Sequence, residues 1–197
     1  MNQIVKILMV LLLSGCAGVS TVGQPIVHTS PFRLTSVKVV WIDSPEVRYR
    51  YFKQDEQVQV GWGKENKWDK KAGPIYIDVP AKISEEEQLQ ARRKMNATAE
   101  GIRVAVLPWL QERLTPSTSR DNGGAAELEL VPVELSRTAA GGRAILVKVS
   151  LRNSTDRSEM WTHQLRTNGP SWDDDAVLAK NFGTALLQAL KQAGWVN

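Results

Sequence analysis

The sequence predicts an α+β fold, a two-layer sandwich in which an antiparallel sheet is packed by two helices and a small β-hairpin or sheet is inserted. Three observations predict this class. After Ser84 and after Asp173, apolar residues recur at steps of three and four, which is typical of amphipathic helices. Between these segments, three stretches of alternating apolar and polar residues are joined by short connections, which indicates an antiparallel meander. One further strand is predicted before the first helix.

The first predicted strand covers residues 34–42. This stretch is rich in β-branched residues and ends at the turn signal Asp43-Ser44-Pro45, as strands commonly do. From residue 46 to residue 80, apolar and polar residues alternate in several short runs around a polar loop. We interpret 46–80 as the inserted β-hairpin or small sheet.

A capping box marks the start of the first helix. Ser84 is followed three residues later by Glu87, so each residue can satisfy a backbone N–H of the other at the helix N-terminus. The apolar stripe that follows keeps its phase for about six turns. Its members are Ala91, Met95, Thr98, Ile102, Ala105, Val106, Trp109 and Leu110.

Two helix breakers lie within this stripe. Gly101 weakens a helix and Pro108 removes one backbone hydrogen bond. Because the stripe stays in phase through both residues, the pattern favours one kinked helix. The alternative is a helix that ends at Glu100 and is followed by a strand at 102–107.

The meander is predicted from three strands. In 126–136 the alternation changes phase at Pro132, which predicts an edge strand or a bulge. The next strand places one set of side chains on a core face and another on a solvated face. The core set is Ile145, Val147, Val149 and Leu151, and the solvated set is Lys148, Ser150 and Arg152. The third strand, 159–167, places His163 on the same face as Trp161 and Leu165.

The last predicted element is a helix that begins within Asp173–Asp175 and ends at Ala193. The aspartates suit the positive end of a helix dipole, and Gly194 suits a C-terminal stop. The three aspartates lack the spaced ligands and central glycine of a calcium loop. We therefore interpret them as a helix start.

The N-terminus combines Lys6, an apolar run at 7–13 and the sequence Leu13-Ser14-Gly15-Cys16, which contains the only cysteine. This combination is typical of a secretory signal peptide, and its apolar run is too short to span a bilayer. The last four residues resemble the lipobox of bacterial lipoproteins. The resemblance implies that residues 1–15 are removed and that Cys16 carries diacylglycerol and usually a third acyl chain.

The expected mature chain begins at Cys16. Residues 16–32 are rich in Gly, Ser, Thr and Pro and are predicted to be a lipidated tether, followed by a single α+β periplasmic domain at 33–197. Ala17 and Gly18 follow the cysteine where an aspartate would favour inner-membrane retention. By resemblance to lipoprotein sorting in Gram-negative bacteria, this implies a lipid anchor on the periplasmic face of the outer membrane.

Composition limits the classes of function. The formal charge of +4 falls to +3 when residues 1–15 are removed, because they contain one lysine and no acid. This mild excess does not indicate a nucleic-acid-binding protein. With its one cysteine acylated, the chain has no thiol left for a disulfide or a thiolate metal site. The sequence therefore predicts no cofactor apart from the lipid on Cys16.

The sequence predicts no catalytic residue. Of the two histidines, His28 lies in the predicted tether. A Ser-His-Asp triad would have to use His163, and its position between Trp161 and Leu165 predicts a partly buried structural residue. An unrecognised hydrolase would require His163 to be exposed beside a serine or an acid.

Basic and aromatic residues cluster in the inserted segment. Such residues can bind anionic glycans, lipid headgroups or a protein partner. Seven bases and five acids lie between residues 46 and 71, so the favoured interpretation is a solvated hairpin, and a binding patch is the alternative. The residues of the candidate binding patch are Arg48, Tyr49, Arg50, Tyr51, Trp62, Lys64, Lys67, Trp68, Lys70 and Lys71.

The predicted element order, with Trp161 late in the meander, resembles small α+β periplasmic lipoproteins that serve envelope assembly and transport systems. The lipobox, one compact domain and the lack of a catalytic constellation lead to the hypothesis of a non-catalytic outer-membrane lipoprotein that binds a protein partner or envelope component as an accessory subunit. The alternative hypothesis is a binding module for a lipid or an anionic glycan, with a pocket lined by Trp41, Trp62 or Trp68.

Overall fold

The computed structural model describes residues 18–29, 31, 34–62, 74–114, 124–170 and 173–196. For 56–62 and 74–78 the description is limited to the backbone. The predicted signal peptide at 1–15 and Cys16 lie outside the described residues.

Nine strands and two helices make up the described part of the chain. In chain order they are β1 (Gly18–Thr21), β2 (Ile26–Val27), β3 (Leu34–Trp41), β4 (Arg48–Phe52), β5 (Glu56–Trp62), β6 (Pro74–Val79), α1 (Glu85–Leu114), β7 (Gly124–Thr138), β8 (Arg143–Asn153), β9 (Glu159–Gly169) and α2 (Asp175–Gln192).

The α+β class is confirmed, and the main sheet is a mixed sheet of seven strands. As predicted, β7, β8 and β9 form an antiparallel meander. The sheet is not antiparallel throughout, because β3 and β4 both pair with β7 in parallel. The chain crosses over through α1 before it returns as β7, and a crossover connection of this kind joins parallel strands.

Pro132 lies where β7 changes partners. On one side of β7, β3 pairs as far as Leu130 and β4 begins at Glu134. On the other side, the pairing with β8 has a bulge between Pro132 and Glu134. Proline has no N–H to donate to a neighbouring strand, so it is tolerated at this break in the strand pairing. The predicted bulge is confirmed, but β7 is a central strand and not an edge strand.

The inserted segment is divided between two sheets. β4 lies in the main sheet beside β7, so this part of 46–80 does not belong to an inserted sheet as predicted. β5 and β6 do form a separate antiparallel pair. The local alternation predicts these strands correctly, but it does not identify their partners.

The predicted tether is wrong for the described residues that follow Gly18. β1 and β2 pair with β9 in antiparallel orientation, and the His28 N–H donates to the Met160 carbonyl at 2.9 Å. The reason is that β9 offers an outer edge with free backbone groups, which these short strands satisfy. The folded domain therefore includes residues before 33.

The helix α1 is continuous through Gly101 and Pro108. The alternative strand at 102–107 is therefore wrong. The residues of α1 that are buried repeat at steps of three and four, as predicted. They are Ala91, Met95, Thr98, Ile102, Val106, Leu110 and Leu114.

The capping box is confirmed by its hydrogen bonds. The Glu87 N–H donates to Ser84 Oγ at 3.2 Å, and the Ser84 N–H donates to Glu87 Oε2 at 2.9 Å. The bond from the Ser84 N–H is the largest cause of a lowered pKa of Glu87, and hydrogen bonds from Lys53 and from the Ser84 hydroxyl lower it further.

Replacing this cap should destabilise the protein. We expect Ser84→Ala to lower the free energy of unfolding by about 1 kcal/mol, because it leaves a helix N–H without its acceptor. Chemical denaturation measures this loss. Ser84→Asp is the control, since aspartate also accepts at an N-cap; equal losses in both variants would contradict the role of the cap.

The helix α2 begins and ends as predicted. The Asp174 side chain accepts a hydrogen bond from the Ala176 N–H at 3.2 Å. At the other end, Gly194 has φ +78°, and the Trp195 N–H donates to the Leu190 carbonyl at 2.9 Å. This is the arrangement of a glycine-terminated helix.

Both helices pack on one face of the main sheet. α1 contacts β3, β4 and β7, and α2 contacts β1 and β9. The four predicted core residues of β8 are each at most 1% exposed. They pack against apolar residues of both helices in one hydrophobic core.

The opposite face of the sheet carries a network of ion pairs. The Glu129 carboxylate forms ion pairs with the guanidinium groups of Arg152, at 2.7 Å, and Arg157, at 2.8 Å. The Glu134 carboxylate forms ion pairs with those of Arg50, at 3.0 Å, and Arg166, at 3.1 Å. Each glutamate is only 6% exposed, so the predicted solvated face is charged but closely packed.

Candidate binding groove

The structure separates the first four residues of the candidate binding patch. Side chains alternate between the two faces of a strand, and in β4 Tyr49 pairs with the core residue Leu135, whereas Arg50 pairs with Ser136. Tyr49 and Tyr51 therefore lie on the helix face with the core, and Arg48 and Arg50 lie on the charged face.

The other members of the patch are not placed. The side chain of Trp62 and the whole of Lys64, Lys67, Trp68, Lys70 and Lys71 lie outside the described residues. Trp41 is half-buried and packs against the hydrophobic core.

Tyr49 is fixed to α1 by two contacts. Its hydroxyl donates to Asn96 Oδ1 at 2.7 Å, and the Arg92 guanidinium lies 4.4 Å from the centroid of its ring. The second contact is a cation–π interaction. Tyr49 therefore joins the strand β4 to the first turns of α1.

A groove of about 570 Å³ lies between β4 and these first turns. Strand residues form one wall and helix residues form the other. Its lining residues are Tyr49, Arg50, Tyr51, Phe52, Ile83, Glu85, Gln88, Leu89, Arg92 and Met95. Leu89 is 50% exposed, and Tyr51, which is half-buried on the helix face of β4, faces it from the strand wall, so both walls offer apolar surface.

The electrostatics of this groove are mixed. The charged residues among its lining are Arg50, Arg92 and Glu85. Arg50 is already paired with Glu134 at 3.0 Å. At the level of the helix start, Lys53 pairs with Glu87 at 3.3 Å. Arg92 is therefore the cation of the lining that is best placed to meet a ligand.

The backbone of β4 forms part of an open edge. Within the described residues β4 pairs with β7 on one side only. The neighbouring strand β3 has its outer edge covered by the side chain of Gln111, which donates to the Val37 carbonyl at 2.9 Å and accepts from the Val39 N–H at 3.0 Å. The groove thus combines an open strand edge with apolar side chains and an arginine.

The sequence pattern does not single out Leu89 and Arg92. Leu89 is an apolar residue of α1 that falls outside the stripe of Ala91 and Met95. An apolar side chain out of phase with the buried face of a helix is the signal that could have identified it.

His163 is buried on the core face of β9. It is 4% exposed, and its ring centroid lies 5.7 Å from that of Trp161. In the part of the chain that the structure describes, His163 Nδ1 has no hydrogen-bond partner. His163 is therefore more deeply buried than the predicted partly buried position, and among the described residues no serine or acid bonds to Nδ1 as a triad requires.

Burial lowers the pKa of His163. The unfolded chain takes up the proton near pH 6.5, whereas the folded chain takes it up only at a lower pH. His163 should therefore reduce stability as the pH falls below about 6.5.

We expect His163→Leu to lose less stability than wild type between pH 7.5 and pH 5. Denaturation curves at both pH values measure the difference, which is at most about 2 kcal/mol because pH 5 lies about 1.5 units below the ordinary histidine pKa. His28→Gln is the control, because it leaves His163 in place. The same pH dependence in His163→Leu and wild type would contradict this prediction.

The aspartates at the start of α2 cap the helix and bind an arginine side chain. Asp174 is the N-cap. Asp175 Oδ1 lies 2.5 Å from Arg143 Nη1, and Arg143 also donates to the Asp173 carbonyl. The interpretation as a helix start is confirmed.

No helix in the described ranges is both long enough and apolar enough to cross a membrane.

No protein-family model and no curated protein sequence matches the chain. Among solved structures, the chain is similar to a PelC dodecamer from Paraburkholderia phytofirmans, with a TM-score of 0.35 and 11% identity over 88% of this chain and 96% of that chain. It is also similar to protein XCC0632 from Xanthomonas campestris, described under DUF330, with a TM-score of 0.30 and 14% identity over 87% and 91% of the two chains. Structural similarities at these TM-scores do not indicate a function.

Proposed function

We propose that this chain is a non-catalytic lipoprotein, anchored by Cys16 to the periplasmic face of the outer membrane, and that it binds a protein partner as an accessory or assembly subunit. The observation that carries the proposal is the groove between β4 and α1. The lipobox at residues 13–16 supports the anchor, since two or three acyl chains on one residue give lasting attachment.

The groove suits an extended segment of a protein. An open strand edge can pair with the backbone of another chain, and neighbouring pockets then select its side chains. Here Tyr51 and Leu89 supply apolar contacts, and Arg92 supplies a cation that is held over the Tyr49 ring. Arginine and aromatic residues are enriched in protein interfaces. We expect a partner segment with an apolar residue and an acid.

Crosslinking in intact membranes tests this proposal. The lipidated protein is crosslinked in its own membrane, purified, and its captured partners are compared between variants. We expect Leu89→Ser and Arg92→Glu each to lose a partner that wild type captures, because each removes one of the contacts in the groove. Val104→Ser is the matched control, since Val104 is an apolar residue of the same helix that is 63% exposed and lies outside the groove lining.

The controls separate the hypotheses. If the groove variants capture the same partner as Val104→Ser, the groove does not bind it. If every form captures lipid or glycan and no protein, the alternative hypothesis of a lipid- or glycan-binding module replaces the proposal. Fractionation of wild type away from the outer membrane would contradict the anchor.

A further inference from the structure

A second cleft, of about 600 Å³, lies at the opposite edge of the main sheet. It is bounded by α2 on one side and by the β1–β2 segment on the other. Between Thr21 and Ile26 the chain leaves its regular pairing with β9. At the same level α2 contributes the small side chains of Ala185 and Ala189, flanked by Gln188 and Gln192. Small helix residues and a departing loop therefore leave space that the core does not fill.

The lining of this cleft is apolar or uncharged. Val19, Val27 and Leu165 line it together with the alanines of α2, and its polar groups are hydroxyls, amides and the imidazole of His163. No Lys, Arg, Asp or Glu is among the described residues of the lining. Its size and composition fit a site for an apolar ligand, and they do not fit a charged headgroup.

One polar atom of a residue that lines the cleft is buried and has no partner in the described part of the chain. His163 lines the cleft, and its Nδ1 is buried without a hydrogen bond in the described part of the chain. A buried polar group normally has a partner. In the tautomer that carries the proton on Nδ1, neutral His163 can donate to an uncharged acceptor such as an ester carbonyl.

Apolar side chains are exposed beside the cleft. Val22 is 41% exposed, Ile26 is 56% exposed and Val27 is 49% exposed. Three aliphatic residues within six positions make this sheet edge a concentrated apolar surface, and such surfaces mark contacts with proteins or membranes.

The place of Cys16 in the sequence favours a contact with the membrane over a contact with a protein. Val22 is six residues from Cys16, and a chain of six residues spans about 20 Å at most. If Cys16 carries acyl chains, which is the proposed function on which this inference rests, the exposed aliphatic residues are held close to a bilayer.

We propose that the β1–β2 edge lies on the membrane surface and that the cleft binds one acyl chain of a bilayer phospholipid, with His163 Nδ1 donating to the ester carbonyl. The aliphatic residues beside the cleft contact the bilayer, and the cleft extends this contact into the protein. The occupant is a phospholipid of the membrane and not a free anion, because the lining is uncharged.

Photocrosslinking in the native membrane tests the site. Val27→benzoylphenylalanine places a photoreactive group at the cleft, and mass spectrometry identifies what it captures. We expect an adduct with the mass of a phospholipid. Ala189→Trp, which fills the cleft, should reduce this adduct about tenfold or more. Gln188→Trp, a change at an exposed position of the lining, blocks the cleft without altering the core. A thermal melt of each variant shows that it is folded.

The control probe is Leu89→benzoylphenylalanine in the groove between β4 and α1, which should give no phospholipid adduct. An adduct at Val27 that neither tryptophan variant reduces would overturn the cleft as the site, and so would equal adducts at Val27 and Leu89. A crosslink to the protein's own acylated N-terminal peptide would overturn the phospholipid as occupant. Absence of any adduct in protein that fractionates with the membrane would overturn this inference alone, whereas protein absent from the membrane fraction would overturn the proposed function as well.

Discussion

Gly101→Ala is expected to lower the free energy of unfolding by about 2 to 4 kcal/mol. In an unobstructed helix the same change would stabilise by about 1 kcal/mol. Here a Cβ at position 101 would lie 2.2 Å from Asp175 Oδ2 and 2.9 Å from Asp175 Cβ, so the aspartate as a whole must move. Its movement breaks the ion pair with Arg143, whose side chain is only 11% exposed. A buried charge that loses its partner is strongly destabilising. Chemical denaturation measures the loss.

A double-mutant cycle identifies the cause. Asp175→Gly alone removes the ion pair and also the whole side chain that obstructs position 101, including its Cβ. Gly101→Ala added to Asp175→Gly should therefore cost little or should stabilise. If the two changes simply add, the clash with Asp175 is not the reason for the loss. If Gly101→Ala alone stabilises the protein, the close approach of α1 to the start of α2 is contradicted.

Gly183→Ala is expected to lower the free energy of unfolding by about 1 to 3 kcal/mol, which is the cost of overpacking. Gly183 lies in α2, and a Cβ there would come within 2.5 Å of Trp109 Cζ3 and 2.7 Å of Trp109 Cε3 on α1. The indole ring cannot turn away without loss, because the Arg113 guanidinium lies 4.1 Å from it. Thermal or chemical denaturation measures the effect.

Trp109→Leu provides the test of this contact. In the Trp109→Leu background, Gly183→Ala should be close to neutral, because the ring that obstructs the new methyl group is absent. A loss of the same size in both backgrounds would show that Gly183 is required for another reason. Together, Gly101 and Gly183 identify two points where the helices approach more closely than any side chain allows.

Local patterns predict much of this fold because they record burial and capping. The stripe from Ala91 to Leu110 follows the buried face of α1, and Ser84 and Gly194 mark helix ends whose hydrogen bonds lie within a few residues. The continuity of α1 through Pro108 follows from the same stripe. In each case the sequence and the structure agree because the interacting residues are neighbours along the chain.

Pairing between distant strands is where prediction from the sequence is wrong. Gly18 pairs with Asn168, and β2 has only two residues, so no local alternation reveals either strand. The parallel pairing of β3 with β7 likewise depends on residues some ninety positions apart, as with Leu34 and Gly124. Because these distant partners cannot be read from the sequence, residues 16–32 are interpreted as a tether and the sheet is interpreted as antiparallel throughout.

The candidate site is predicted only in part, for a related reason. Arg48, Tyr49 and Arg50 are adjacent in sequence, yet the alternation of strand side chains puts them on opposite faces. The groove instead joins β4 to Leu89 and Arg92 on α1. Residues of two elements meet there, and only the packing of the helix on the sheet brings them together.

The central place of β7 has a consequence for the order in which the chain folds. Its pairing with β8 closes through a turn, with Arg137 opposite Arg143, whereas its pairing with β3 closes a loop of some ninety residues. Closing the longer loop costs more conformational entropy before any contact is gained. The meander should therefore form early in the folding reaction, and β3 and β4 should dock late. Destabilising changes in the 139–142 turn would then slow refolding, whereas those in β3 would mainly accelerate unfolding.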